Sequence, residues 1–284
     1  MKEKQNIHRE IITFLVLTFL FSTPIYLLIN AQGINNLTAI AIMWCPGTAA
    51  LVTRFVYHRN LRGLGWGWGK TRYQLMAYFL PGVYNLALYS FVWLSGLGGI
   101  TEELTPTLPV IINLTVGALL GPLLGSWITA LGEEIGWRGL FVPQLAKLTS
   151  FTKASILSGL VWAVWHYPLV LFSNYRSLAG SGDEAVPVWF ALINFTLTII
   201  GFNFIFNWIR LKSGSVWTAM FLHASQNFYL QMFFAPMTTN TGPTAWVAGE
   251  FGIGLTVVVT IVAFIFWCKR NELPPTRLEA EPAT

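Results

Sequence analysis

The chain of 284 residues is 54% hydrophobic and only 10% charged, with 13 Trp, 21 Phe and a formal net charge of +5. Soluble domains carry roughly 25% charged residues, so a chain of this composition cannot cover itself in water. Its apolar runs are continuous over about 20 residues, which excludes a membrane barrel of short alternating strands and points to an all-α polytopic membrane protein, a bundle of about eight transmembrane helices.

In chain order the runs are 11–30, 37–56, 73–97, 110–142, 154–173, 187–209, 215–234 and 245–268. The bilayer interior cannot solvate backbone amides, so each run is expected as a helix, with kinks at Pro24, Pro46, Pro81 and Pro122. The first run, behind Lys2 to Arg9, is read as a retained helix. It is longer than a signal-peptide core and lacks a small-residue cleavage site. The Gly-rich stretch 63–70 reads as an interfacial turn anchored by Trp66 and Trp68. Cys45 and Cys268 match no zinc or redox spacing and are not read as a disulfide. There is no internal repeat, and the Pro- and Glu-rich tail after Asn271 has the composition of a disordered segment.

Eight spans put both termini on one side, and 16 of the 17 Lys and Arg residues fall there. Only Arg176 falls on the other side, with Glu102, Glu103, Asp183 and Glu184. The positive-inside bias makes the terminal side cytoplasmic. It also accounts for the net charge without a nucleic-acid partner. The expected location is the cell membrane, with both termini in the cytoplasm and membrane lipid as surroundings.

Against this background the stretch Gly132-Glu133-Glu134-Ile135-Gly136-Trp137-Arg138-Gly139 stands out, because ionised groups at membrane depth are costly unless paired or wet. Glu133 and Glu134 are the only acids well inside a run; Glu250 lies near the outer end of the last one. His166 and His223 are the only histidines inside runs, whereas His8 and His58 sit among other polar residues on the basic side. Glu134 and Arg138 are four residues apart, as are Trp162 and His166, and His223 and Asn227, so each pair shares a helix face. Glu133 points about 100° away from Glu134. If the fourth helix continues to Pro143, Glu133 lies about 15 Å from the basic end, with His166 at about 20 Å and His223 at about 14 Å. The three then share one layer, expected to be reached from the cytoplasmic side.

Each pair taken alone is compatible with helices cross-linked by hydrogen bonds or an ion pair. Taken together they also form a hydrolytic set. A carboxylate beside a histidine can take a proton from water, and a second histidine with an amide can donate to a developing oxyanion. Ser155, Ser158 and Ser225 lie in no Gly-x-Ser-x-Gly or Ser-x-x-Lys arrangement, and His-Glu-x-x-His is absent. Glu133, His166 and His223 are also ordinary zinc ligand types, although their spacing does not demand a metal.

Glu133-Glu134-Ile135-Gly136-Trp137-Arg138 resembles Glu-Glu-x-x-x-Arg, the first motif of the CPBP intramembrane proteases, the CAAX protease and bacteriocin-processing or Abi family. The second motif, Phe-x-x-x-His, is matched by Trp162 and His166 with Trp in place of Phe, and the third, His-x-x-x-Asn, by His223 and Asn227. The resemblance covers roughly 110–230. It implies an eight-helix endopeptidase in which Glu133 and His166 activate water, His223 and Asn227 stabilise the oxyanion, and Glu134 and Arg138 brace the site. The implied partner is a peptide or protein substrate. It is lipidated for those relatives that trim three residues after a prenylated cysteine.

The family is labelled metalloprotease and is also described as glutamate-dependent. The cofactor expectation is therefore either none, or zinc or another divalent ion on Glu133, His166 and His223. Some relatives process or protect against bacteriocins and others are scaffolds, so a non-catalytic scaffold or immunity protein is the alternative. A proton-coupled transporter is a third reading, disfavoured because the polar groups crowd into three helices. The chain divides into helices 1–3 with a basic loop (1–109), a CPBP-like catalytic core (110–236), and the last helix with its tail (237–284).

Overall fold

The computed structural model describes residues 2–101, 107–176 and 186–275. Glu102, Glu103, Asp183 and Glu184, expected on the far side, and the tail from 276 with Arg277 lie outside the described residues. The order is α1 (Lys2–Gln32), α2 (Asn36–His58), α3 (Thr71–Leu94), β1 (Gly99–Ile100) and α4 (Leu108–Gly125). A continuous helical run follows, built from α5 (Trp127–Glu134), a π-helical turn (Ile135–Phe141) and α6 (Val142–Leu148). Then come α7 (Phe151–Phe172), α8 (Val188–Ser213), and α9 (Val216–Asn227) with a second π-helical turn (Phe228–Phe234). The chain closes with β2 (Thr238–Thr239), α10 (Thr244–Val247) and α11 (Ile253–Cys268).

The all-α polytopic expectation holds. Among the described residues α1, α2, α3, α7, α8 and α11 are long and apolar enough to cross a membrane, and the protein is an integral membrane protein. Several boundaries differ from the sequence reading, the first helix already starting at Lys2. The run 110–142 is not one helix: it breaks at Ser126, whose φ of −125° and ψ of 0° leave the helical region, close to the poor helix formers Gly121, Pro122 and Gly125. The segment carrying the glutamates restarts at Trp127 and continues through them to Leu148. The last long helix begins at Ile253, so Glu250 lies in the connection before it. A short antiparallel pairing, Gly99 with Thr239 and Ile100 with Thr238, adds a strand contact to the helical framework. Both cysteines are free.

Side-chain contacts define the two ends of the bundle. At the basic end, His58 bonds Glu10 at 2.7 Å, the Val216 N–H donates to the Gly65 carbonyl at 2.8 Å, and Trp208 Nε1 donates to the Lys269 carbonyl at 2.9 Å. Lys212 reaches the Glu272 carbonyl, so the chain stays docked just beyond Asn271. Both ends of the described chain therefore lie beside the basic loop 59–70, where Trp217 donates to the Trp66 carbonyl and Trp68 packs on Phe221. At the opposite end the β1–β2 pair sits with Thr244, which bonds the Leu97 carbonyl, and Asn174, which accepts from the Ile34 N–H.

Small residues set the height of the glutamates. A Cβ added at Gly47 in α2 would stand 2.4 Å from the Gly132 carbonyl oxygen, and one at Gly136 would stand 2.6 Å from Pro46 Cβ. Two helices can approach this closely only without side chains between them. The contacts at Gly132 and Gly136 bracket the two glutamates and fix them against α2. Gly136→Ala is therefore expected to lower the melting temperature in detergent by an amount corresponding to about 1–3 kcal/mol of overpacking. Gly67→Ala, where nothing lies within 4 Å, serves as the unperturbed control. Equal melting of the two variants would contradict the close approach.

Candidate functional site

The adjacent acids divide the helix surface between them. Glu133 faces a cavity and is 1% exposed, while Glu134 turns into the protein core and is fully buried. Glu133 Oε2 accepts from two indole N–H groups, Trp162 at 2.7 Å and Trp137 at 3.3 Å. Trp162 stands where the resembled motif has Phe, and its N–H is a donor that a phenyl ring cannot supply.

Glu134 Oε1 accepts from Arg138 Nη1 at 3.0 Å and from His223 Nδ1 at 2.9 Å, which ties α5 and the π-helical turn to α9. The Arg138 guanidinium packs on both the Trp162 and Phe206 rings, at 4.2 and 4.4 Å from their centroids. Its Nη2 donates to Asn203 Oδ1 at 3.3 Å, Ser158 donates to the same oxygen at 2.8 Å, and Asn207 donates to Ser158 at 3.0 Å. A fully buried charge needs this density of partners, because each missing one leaves a desolvated group uncompensated.

The π-helical turn serves the same network. The Val142 N–H bonds the Trp137 carbonyl five residues back, and the Arg138 carbonyl accepts from Arg210 Nε of α8 at 2.8 Å. Widened turns of this kind recur at functional sites because they redirect backbone groups. Arg210 also reaches the Leu64 carbonyl, so the basic loop is fastened beneath the glutamates.

Both histidines have one ring nitrogen committed. His166 Nδ1 lies 2.9 Å from the Trp162 carbonyl, which can only accept, so Nδ1 carries the proton and Nε2 is the remaining atom. His223 Nδ1 is held by Glu134, which likewise leaves Nε2. Trp165, Phe195 and Tyr175 enclose the His166 ring, while Trp162 and Phe206 pack on His223.

Glu133, His166, His223 and Asn227 line one cavity of about 230 Å³. Glu134 and Arg138 stand behind its wall. Among the described residues, no three His, Cys, Asp or Glu side chains form a group that could hold a metal ion. The lining of the cavity includes residues from the end away from the expected side of approach. Among them are Ile34, Tyr175, Gln231 and Glu250 from the end opposite the basic loops, whereas Arg138, Arg210 and Leu64 fill the basic side.

Two groups of residues were not singled out from sequence. Asn203, Asn207 and Arg210 form a stripe at helical spacing in an otherwise apolar run, a pattern that marks an inward polar face. Glu250, in sequence an acid near a helix end, is the other. It lines the cavity, with Oε1 accepting from the Tyr175 hydroxyl at 2.8 Å and Oε2 from Gln231 Nε2 at 3.0 Å. Burial pushes its carboxyl up to about 7, although the Tyr175 and Gln231 hydrogen bonds pull the other way. The sequence signal was weak, because the fold of the connection before α11, rather than any periodicity, turns Glu250 inward.

Residues 115–229 match the family model described as type II CAAX prenyl endopeptidase Rce1-like. The chain is also 35% identical over 97 residues to CAAX prenyl protease 2 of Methanococcus maripaludis, a stretch covering 34% of this chain and 34% of that protein. The chain thus spans about a third of that curated relative's length. The family match spans all three motifs and bears out the resemblance to CPBP proteases over this segment.

Arg138→Ala would leave Glu134 buried with His223 as its sole partner. It is expected to cost about 3–5 kcal/mol of stability, read by denaturation in detergent. Adding Glu134→Gln should recover part of that loss, because the uncompensated charge is removed with its partner. Wild-type stability of Arg138→Ala would refute the bracing role.

Proposed function

We propose that the protein is an intramembrane endopeptidase of the CAAX type, in which Glu133 and His166 activate a water held in the cavity. The observation that carries this reading is the shared cavity: a carboxylate and two imidazoles from separate helices converge there with Asn227. In the proposed reaction Glu133 takes a proton from water, and the hydroxide oxygen attacks the peptide carbonyl carbon. His166 Nε2 accepts a hydrogen bond from the water and orients it. The carbonyl electrons move to oxygen, where protonated His223 donates through Nε2–H and Asn227 through its amide. The C–N bond then breaks, and the proton on Glu133 passes to the departing amine, which balances the hydrolysis.

The indole donors on Glu133 Oε2 orient the carboxylate so that Oε1 is the atom left for water. Glu134, itself held by Arg138, accepts from His223 Nδ1–H and so turns the Nε2–H of the protonated ring toward the cavity. As they stand, Glu133, His166 and His223 do not form a group that could hold a zinc or other divalent ion, so no step is routed through one. The donor set favours direct activation, since Glu133 Oε2 already receives two N–H donors. The substrate class is a peptide or protein in or at the cell membrane, with a prenylated C-terminal segment as the candidate. In this reading the basic end faces the cytoplasm, residues 110–236 form the catalytic core, and the cavity faces away from the basic loops.

Purified wild-type protein should cleave members of a lipidated and unlipidated peptide panel, with activity retained in chelator. Glu133→Gln should abolish cleavage while preserving the melting temperature. Cleavage by Glu133→Gln at the wild-type rate would overturn the assignment, and normal cellular function of a variant lacking both Glu133 and His166 would favour a non-catalytic scaffold.

Trp162→Phe restores the side chain of the resembled motif but removes one donor from a carboxylate. It is expected to lower kcat roughly tenfold to hundredfold, the loss of a charged hydrogen bond. An unchanged kcat would show that the indole N–H has no part in orienting Glu133.

A further inference from the structure

The cavity has a second acidic wall, whose Glu250 and Gln231 lie outside the matched family segment. Glu250, Tyr175 and Gln231 come from three connections or helix ends and meet across the hydrogen bonds described above. Two other buried acids, Glu134 and Glu10, have cationic partners: Glu134 has Arg138 and His223, and Glu10 has His58. Among the described residues Glu250, like Glu133, accepts hydrogen bonds only from neutral donors, and no Lys or Arg lines the cavity they share. A carboxylate desolvated without a cation is a site that a cationic ligand can complete.

The other walls suit such a ligand. Trp165, Tyr175, Phe202 and Phe206 give the cavity aromatic surface for an aliphatic stem and for cation–π contact. An independent feature points to a peptide. Gln226 lines the same cavity and is 5% exposed; Tyr84 and Asn85 both donate to its Oε1. Its Nε2 has no acceptor among the described residues, and a peptide carbonyl would supply one.

We infer that Glu250, positioned by Tyr175 and Gln231, forms a subsite for a lysine or arginine side chain of the bound peptide. The subsite sets which sequence is taken beside the scissile bond. This inference rests on the proposed peptidase reading and names its substrate class: a peptide with a basic residue seated in the cavity, rather than an all-apolar one.

The test uses the purified full chain and labelled synthetic peptides in which one lysine is moved along a neutral apolar sequence. Norleucine and acetyl-lysine serve as counterparts at each position. Binding is read by fluorescence anisotropy and cleavage by product release. At one position at least, lysine should improve binding about tenfold or more over both counterparts, the scale of a close charge pair. Glu250→Gln should bring that ratio toward one, and Glu250→Asp should keep its direction.

Equal binding of lysine and acetyl-lysine peptides by the wild type would overturn the subsite without needing any variant, as would a lysine preference undiminished in Glu250→Gln. Lysine-dependent binding with no cleavage would retain the subsite and sink the peptidase reading. Cleavage without lysine preference would do the reverse.

Discussion

Everything in this bundle turns on holding the fully buried Glu134 side chain against Arg138 and His223. One oxygen is shared by Arg138 of its own helical run and His223 of α9, so a single acid joins elements that are far apart in sequence. Desolvating such charges is expensive, and the cost is met only by excellent geometry and further hydrogen bonds. Those come from Asn203, Ser158 and Asn207 on α7 and α8, and from the Trp162 and Phe206 rings packed on the guanidinium. Four helical elements are thereby tied to one charge pair.

The adjacent acid can do different work because its partner does this one. A helix turns successive side chains about 100° apart, so Glu133 faces the cavity while Glu134 faces the core. Among the described residues Glu133 accepts hydrogen bonds from two indole donors, which orient it without supplying an opposite charge. A carboxylate next to a guanidinium would be a poor base; one held by neutral N–H groups in a confined space keeps its capacity to take a proton. Trp162 thus contributes to both halves of the site, covering Arg138 with its ring and Glu133 with its nitrogen.

Backbone chemistry makes the arrangement possible. Gly47, Gly132 and Gly136 let α2 lie directly against the glutamate-bearing run, and the π-helical turn presents the Arg138 carbonyl to Arg210. Because Arg210 also holds Leu64, protein packs the basic side of the site, and the cavity lining extends to the opposite connections, where Glu250 lies.

The amino-acid order by itself determined the all-helical membrane character, the pairing of Glu134 with Arg138, and the set Glu133, His166, His223 and Asn227. Each of these follows from composition or from helical spacing, properties local to the chain. The break at Ser126 was not legible, because an apolar run reads the same whether or not the backbone leaves the helix inside it. Nor were the Trp162 N–H bond to Glu133, the inward turn of Glu250, or the end toward which the cavity faces. These depend on how separate helices and connections approach one another in space, which only side-chain packing and the satisfaction of buried charge decide.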